Sequence, residues 1–155
     1  MSDREHPELQ QSLSRLQRSY DLLNEAASIA RIGCFEWEID GDRSVWSREM
    51  YEILGLDPQE LGDDITAAVV FDMIHPDDVD QVRENHLRGL PENRSIPSEC
   101  RVIRPDKSIV TLFASGKVEM DDSGKQVRLL GTLQDITERK QAEESLRRAM
   151  NSTGR

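Results

Sequence analysis

The chain has 155 residues, 32% of them charged, and a formal net charge of −10 at pH 7. This length suits one domain with extensions, since domains typically hold about 100–150 residues, and the negative charge disfavours binding to nucleic acid or anionic membranes. Because the sequence lacks the run of about 18 apolar residues that a membrane span needs, and lacks a signal-peptide core, we expect a cytoplasmic protein with neither nucleic-acid nor membrane partners.

The N-terminal segment carries a heptad pattern of apolar residues. Five of them recur at spacings of four and three: Leu9, Leu13, Leu16, Tyr20 and Leu23. This pattern is typical of a coiled coil, so we predict a helix over residues 1–25 whose stripe is the seam of a homodimer, parallel or antiparallel. The alternative is a helix packed on its own domain, which Leu22 and Ile29 favour because they widen the stripe.

Two strands follow the first helix. Gly33 interrupts the helical pattern, and Phe35, Trp37 and Ile39 then alternate with acidic residues. This alternation predicts a half-buried strand, and a second short strand is predicted at residues 44–46.

Two short helices come next. Ser47 is a good N-cap for a helix over residues 48–54, which Gly55 ends. Asp57 begins another helix, with proline at the first helical position and Glu60 completing a capping box.

Two more helices are predicted before the sheet resumes. Residues 66–74 form an apolar helical stretch, and the sequence His-Pro-Asp-Asp at 75–78 opens the next helix with a proline and two acids. We predict that Val79, Val82 and Leu87 form the buried face of that helix.

The C-terminal half changes to the period of two that strands require. Three long strands are predicted, at residues 98–104, 108–120 and 126–135. The resulting order predicts an α+β fold, with a five-stranded antiparallel sheet, small helices on one face, a coiled-coil-type helix before it and an exit helix after it.

The last strand leads directly into a charged helix at Asp135-Ile136-Thr137. We predict that Thr137 caps this helix, with Glu138 at its positive end. Residues 138–155 would then form a C-terminal signalling helix and tail. Since a strand that continues into an outgoing helix can export a conformational change, Asp135, Ile136 and Thr137 are the predicted signal relay.

The two cysteines, Cys34 and Cys100, lie in apolar strand patterns. This placement favours reduced, buried thiols over a disulfide framework or a metal site.

Several segments, in this order, resemble a PAS domain with its C-terminal PAC segment. They are Trp37-Glu38, Trp46-Ser47 and the segments ILGLDP (53–58), IHPDD (74–78), CRVIRPD (100–106) and LGTLQDITERK (130–140). The resemblance places the domain at residues 26–137. It implies a sensory or dimerisation module of a bacterial signalling protein, such as a histidine kinase or a diguanylate cyclase of a two-component or similar system.

Two positions depart from the family pattern. Lys107 stands where such domains usually have glycine, and Thr111 stands where they usually have tryptophan. Lys107 indicates either a turn without a positive φ or a small strain there.

The resemblance allows two cofactors to be tested residue by residue. Flavin-binding members have a reactive cysteine on the helix that corresponds to residues 66–74, which has none here. The amides that bind the flavin ring would correspond to Val102, Leu112 and Leu133, all apolar, and unpaired polar atoms would cost about 1–3 kcal/mol each. Flavin is therefore disfavoured.

Haem-binding members use a histidine on the helix that begins at Pro76. The matching position is Arg83, and His86 lies nearly one turn later, where a solvent-exposed side chain is expected. Haem is therefore also disfavoured, and the cofactor, if there is one, stays unknown.

The predicted inner surface of the domain is apolar. The candidate pocket residues are Trp37, Phe71, Ile74, Val102, Leu112 and Leu133, in a larger apolar set with Phe35, Val70, Cys100, Val110 and Leu129. Such a surface is either plain core or the lining of a pocket for a small apolar or aromatic ligand. Arg101 and Thr132 are polar candidates, and both could equally face the other side of the sheet.

No phosphate-binding loop, nucleophile elbow, metal-ligand pair or kinase motif is found in the sequence. We therefore expect a non-catalytic module that passes a signal through its flanking helices to an effector domain outside this chain. A ligand-free dimerisation or spacer domain and a thiol redox sensor are the alternatives.

Overall fold

The computed structural model describes residues 5–153. The elements in chain order are α1 Glu5–Ala30, β1 Ile32–Glu38, β2 Arg43–Trp46, α2 Arg48–Leu54, α3 Pro58–Leu61, α4 Ala67–Phe71, α5 Val79–Gly89, a 3-10 turn Leu90–Glu92, β3 Ser98–Ile103, β4 Ile109–Met120, β5 Gln126–Asp135 and α6 Thr137–Ser152. The predicted α+β fold with a five-stranded antiparallel sheet is confirmed. Residues 1–4 and 154–155 of the predicted terminal segments lie outside the described residues.

The strand order of the sheet is β2-β1-β5-β4-β3, so the last strand of the chain lies in the centre. Antiparallel pairing joins Phe35 to Gly131 across β1 and β5, and Gly116 to Gly131 across β4 and β5. Because side chains alternate along a strand, one face of the sheet, here called the inner face, carries the apolar side chains.

The hydrophobic core lies between this inner face and helices α2, α4 and α5. Met50 and Leu54 of α2 and Val102 and Leu112 of the sheet are fully buried. The apolar alternation of the strands and the apolar face of α2 therefore meet in one core.

The first turns of two helices differ from prediction. Ser47 is at the N-cap position of α2, but its hydroxyl accepts a hydrogen bond from the Cys34 N–H, 2.9 Å away in β1, and makes no cap bond. Thr137 does not cap α6 either, because its hydroxyl bonds to the sheet, as described below. Asp57 does cap α3, accepting from the Gln59 N–H, and Gly55 ends α2 with φ 68°.

The buried face of α5 is shifted by one residue from the prediction. Val79 and Val82 pack against the core, but Leu87 is 69% exposed and His86 points inward instead. The stretch 66–74 is helical only over Ala67–Phe71, because Ile74 forms a bridge with Val102 of β3.

The turn at Lys107 has the strained conformation. Lys107 has φ 74°, in the left-handed region that favours glycine. The second of the two readings, a small strain at this turn, is therefore the one observed.

The cysteines differ from each other. Cys100 is buried, as predicted, whereas the prediction of a buried Cys34 is wrong, because this side chain lies on the solvent face of β1. The alternation that buries Phe35 and Gly33 exposes Cys34 between them.

The apolar stripe of α1 is exposed in the single chain. Leu9, Leu13, Leu16, Tyr20 and Leu23 are all more than half exposed, and α1 contacts the domain mainly through β1. Within residues 5–153, no helix combines the length and the apolar character needed to cross a bilayer.

Candidate functional site

A cavity of about 130 Å³ lies between the inner face of the sheet and helices α2, α4 and α5. Four aromatic side chains wall it, from Phe35, Trp37, Trp46 and Phe71. Aliphatic side chains complete the apolar lining: Met50, Ala67, Val70, Ile74, Val82, Ile96, Ala114, Leu129 and Leu133.

The Asp42 carboxylate holds the indole ring of Trp37 in place in the cavity wall. The Trp37 Nε1–H donates to Asp42 Oδ1 at 2.8 Å, and the Ala67 N–H donates to the same oxygen at 2.9 Å. The bonds from Ala67 and Trp37 lower the pKa of Asp42. Asp42 thus ties the β1–β2 turn, the indole ring and the start of α4 together.

Gly131 makes room for Phe35. A methyl group at Gly131 would lie 2.3 Å from Phe35 Cζ, so the ring packs directly on the backbone of the central strand. Any larger residue at this position would displace the ring, which forms part of the cavity wall.

The polar side chains of the cavity come from several elements. Asn85 and His86 project from α5, Ser95 from the segment that precedes β3, and Ser98 from the first residue of β3. The remaining polar lining residues are Ser44, Thr66 and Ser115. The His86 ring lies 5.8 Å from the rings of both Trp37 and Phe71, and burial lowers the pKa of His86. The expectation of a solvent-exposed His86 is therefore wrong.

The residues predicted to line a pocket separate into two sets. Trp37, Phe71, Ile74 and Leu133 line the cavity, whereas Val102 and Leu112 are fully buried in the adjoining core and do not reach it. Whether these side chains bind a ligand stays a prediction.

Neither polar candidate from the sequence reaches the cavity. Thr132 is exposed on the opposite face of the sheet, and Arg101 binds Asp78 at the start of α5. The Arg101 side chain donates two hydrogen bonds to the Asp78 carboxylate, at 3.0 and 2.8 Å, and the Arg101 N–H donates a third. These bonds hold the carboxylate in place and lower the pKa of Asp78. This pair anchors α5 to β3.

Sequence reasoning did not identify the polar residues of the cavity. The only available signal was at Asn85 and His86, which follow Val82 by three and four residues and so share its helix face. Ser95 and Ser98 lie in or beside a loop without a period, and no pattern predicts which way they point.

The strand-to-helix junction joins three elements at Asp135. The Thr137 hydroxyl and N–H both donate to Asp135 Oδ1, at 2.6 and 3.0 Å, and the Thr137 hydroxyl accepts from the Thr111 N–H of β4 at 3.0 Å. Ile136 is buried, and its N–H donates to the Thr111 carbonyl at 2.9 Å.

The same junction holds the end of α1. The Asp135 N–H donates to the Arg31 carbonyl at 3.1 Å, and Arg31 Nη2 lies 3.2 Å from Asp135 Oδ2. The Asp135 side chain is only 4% exposed. We call Arg31, Asp135, Thr137 and Thr111 the junction cluster, since together they join the incoming helix, the outgoing helix and the sheet.

A further ion pair attaches the first turn of α6 to the sheet edge. Lys140 Nζ lies 2.8 Å from Glu99 Oε2 of β3. Both side chains are about two-fifths exposed, so the pair contributes at most about 1 kcal/mol.

The family model described as the PAS fold matches residues 43–133 of this chain. The chain belongs to the PAS family. The matched residues run from the start of β2 to Leu133, so they include most of the cavity lining and end two residues before Asp135. A comparison with curated proteins finds no significant match.

Solved structures of similar fold include domains of signalling proteins. A sensory box histidine kinase/response regulator from Burkholderia thailandensis E264 is 26% identical, with a TM-score of 0.70 over 84% of this chain and 96% of that one. The N-terminal domain of a diguanylate cyclase with PAS/PAC sensor from Marinobacter aquaeolei is 16% identical, with a TM-score of 0.64 over 70% and 98%. A domain of a putative light and redox sensing histidine kinase from Haloarcula marismortui is 22% identical, with a TM-score of 0.59 over 76% and 99%. The chain is a sensory-box module.

Flavin and haem do not fit this PAS domain. An engineered cavity of about 150 Å³ holds a single benzene ring, so a cavity of about 130 Å³ is too small for a three-ring isoalloxazine or a porphyrin. Where a flavin would need amides, Val102 and Leu112 are fully buried apolar core residues and Leu133 is apolar. Arg83, which matches the haem-ligand position, lies over the Phe71 ring at 5.9 Å.

Proposed function

We propose that this PAS domain is a non-catalytic, cytoplasmic sensory and dimerisation module that relays a signal from its core to an effector domain through α1 and α6. The observation that carries this proposal is the junction cluster. One buried carboxylate, Asp135, bonds to the last residue before β1, to the first residue of α6 and, through Thr137, to β4.

A short path connects the cavity to that carboxylate. Leu133 lines the cavity and lies two residues before Asp135 on the central strand, a separation of about 7 Å. Across the sheet, Leu133 pairs with Ala114 of the cavity wall and Asp135 pairs with Leu112 of the core. A change that shifts the end of β5 would therefore alter the bonds that orient both helices.

The dimer part of the proposal rests on α1. Its stripe of exposed leucines has the heptad spacing, and Leu16 is 68% exposed in the single chain. Burying such side chains against a second copy would gain about 1.5–3 kcal/mol each. A second copy of this chain presents the same stripe, so the seam is self-complementary.

A thiol redox sensor is a weaker candidate. Burial raises the pKa of Cys100 to about 11. Cys34 is exposed, but partial desolvation of its sulfur and the nearby Glu49 charge raise its pKa as well. Since the thiolate is the reactive form, both thiols would react slowly with oxidants at neutral pH.

The test uses a fusion in which α6 continues in helical register into a histidine kinase. Asp135→Asn and Thr137→Val should each change the ratio of active to inactive kinase by about tenfold, because a hydrogen bond to a charged group contributes about 1.5–3 kcal/mol. Autophosphorylation is the readout, and circular dichroism checks that the domain stays folded.

The chain offers a matched control for Asp135. Asp121 Oδ1 accepts from the Ser123 N–H and hydroxyl at 2.9 and 2.6 Å, the same local pattern, but in the β4–β5 turn far from both helices. Asp121→Asn should leave kinase output unchanged. Wild-type output in both Asp135→Asn and Thr137→Val would overturn the relay.

A further inference from the structure

The polar lining of the cavity makes few bonds to the protein. Within residues 6–153, the His86 ring and the hydroxyls of Ser95, Ser98 and Ser115 form no side-chain hydrogen bonds. Asn85 Oδ1 accepts from Gln81 Nε2 at 3.1 Å, which leaves the NH₂ group of Asn85 free to donate. Since half-buried polar groups in proteins normally find partners, these atoms are available to water or to a bound molecule.

The cavity has no charged wall. Among the described residues that line it there is no Asp, Glu, Lys or Arg, and burial favours the neutral form of His86. An ionic ligand would lose its hydration without gaining an opposite charge, which costs several kcal/mol. The site therefore selects against ions.

Size and shape limit the ligand further. The volume of about 130 Å³ suits one ring, and four aromatic side chains provide flat apolar surfaces for it. The polar groups are few, as is usual where they set the orientation of an apolar ligand.

We infer that the cavity binds a neutral, single-ring molecule that carries one small hydrogen-bonding substituent, and that His86 is the residue that recognises this substituent. The inference rests on the proposed sensory function, because it names the kind of signal that the cavity would admit. His86 is placed for this role between Trp37 and Phe71, where its ring packs on the apolar wall and keeps both nitrogens unbonded by the protein.

Phenol, toluene, benzoate and benzylammonium are the probes, used with the full chain. They share one ring and differ in polarity and charge. Binding is measured by ¹H–¹⁵N chemical-shift titration, and by slower alkylation of Cys100, whose buried thiol lines the cavity and reacts when the domain opens, because a bound probe opposes that opening. The exposed Cys34 is the internal control for the alkylation reagent.

We expect phenol to bind about tenfold more tightly than toluene, and both ionic probes to bind more weakly still. His86→Leu replaces the imidazole with an apolar side chain of similar size and should abolish the preference for phenol over toluene. Leu87→Ala, one residue later and exposed, is the matched control and should leave the preference intact. Ala114→Leu should fill the cavity and block both neutral probes.

Three results would overturn the inference: no probe binds in the cavity, an ionic probe binds as tightly as phenol, or His86→Leu keeps the preference for phenol. The proposed relay fails separately. If phenol binds with the expected selectivity while Asp135→Asn leaves fused kinase output unchanged, the ligand inference stands and the relay does not. If no probe binds while Asp135→Asn changes output, the reverse holds.

Discussion

The same residue pattern performs two structural roles in this chain. At Asp106, Asp121 and Asp135 an aspartate is followed two residues later by serine or threonine, and its carboxylate accepts from both the N–H and the hydroxyl of that later residue. The first two form hairpin turns. At Asp135 the carboxylate is buried and also bonds to Arg31, so a local turn motif becomes the connection between two helices.

Backbone strain at two turn residues gives a paired stability prediction. Lys107 has φ 74° and Gly124 has φ 85°, both in the region that costs a residue with a side chain about 1–2 kcal/mol. Lys107→Gly should raise the free energy of unfolding by about 0.5–1 kcal/mol, because the relief of this strain exceeds the cost of the larger backbone entropy that glycine loses on folding. Gly124→Lys should lower it by about 1–2 kcal/mol. Chemical denaturation measures both.

A methyl group at Gly124 would meet no atom within 4 Å, so the second change tests conformation without a steric clash. Equal stabilities for wild type and Lys107→Gly would show that the turn relaxes around the lysine.

The cysteines should differ in reactivity. Cys34 is exposed, whereas Cys100 is buried with a pKa of about 11. A thiol reagent at neutral pH should modify Cys34 first and Cys100 only on opening of the domain, as measured by mass spectrometry of peptides over time. Equal rates in the folded protein would contradict the placement of Cys100.

At the scale of the elements, α1 and α5 show what a periodic apolar pattern predicts about a helix and what it does not. The heptad stripe of α1 is present on an exposed helix that runs to Ala30, five residues beyond the predicted end. On α5, Leu87 is the more hydrophobic residue, but the anchor between Asp78 and Arg101 sets the rotation of the helix and places His86 inward. Over so short a helix, tertiary contacts outweigh the hydrophobicity of one side chain.

Substitution of the α1 stripe residues by charged residues tests whether this stripe forms a dimer interface. Leu13→Glu combined with Leu16→Glu should weaken the dimer by at least about a hundredfold, because each burial contributes about 1.5–3 kcal/mol. Sedimentation equilibrium measures the dissociation constant of the dimer. Leu22→Glu, on the same helix but outside the seam, is the control and should leave the dimer unchanged. A wild-type chain that sediments as a monomer would contradict the seam itself.

At the scale of the whole molecule, acid should destabilise the fold in two steps. Burial lowers the pKa of His86 below its usual 6.5 in the folded state, so the unfolded chain binds more protons below that pH. The contribution of His86 is therefore present above about pH 6.5 and is lost as pH falls through the folded pKa. Asp42 and Asp78, whose pKa values lie below 3.8, act in the same direction at lower pH.

Measuring the free energy of unfolding from pH 8 to pH 3 checks this prediction. His86→Gln should flatten the first step and keep the second, while Asp78→Asn should diminish the second. If the first step persists in His86→Gln, a titrating group other than His86 causes it.

Much of the fold follows from local pattern. The period of two in β3, β4 and β5, the cap at Asp57 and the stop at Gly55 are local, and their predicted positions agree with the structure to within one residue. The strand-to-helix junction at residues 135–137 was predicted for the same reason, since a strand that continues into a helix is visible in the chain, and its role as a signal relay stays a prediction.

The cavity could only be predicted in part. Trp37, Phe71, Ile74 and Leu133 follow from the apolar pattern, but Val102 and Leu112 have the same pattern and lie in solid core. A periodic apolar pattern predicts that a side chain is buried, but it does not predict whether that side chain lines a cavity or packs in solid core. The orientations of the serines near β3 and of His86 depend on packing between distant parts of the chain, which no periodic pattern in the sequence predicts.

The sequence by itself determined the order of elements, the PAS resemblance, the heptad stripe and the strand-to-helix junction, because each depends on contacts between residues close along the chain. Only the tertiary structure decided that Asp135 also binds Arg31 and that the Thr137 hydroxyl bonds to β4. It also decided that the polar groups of α5 and of the segment before β3 meet at one cavity. The two junction contacts join residues 104 and 26 positions apart, so their geometry depends on the packing of the whole sheet.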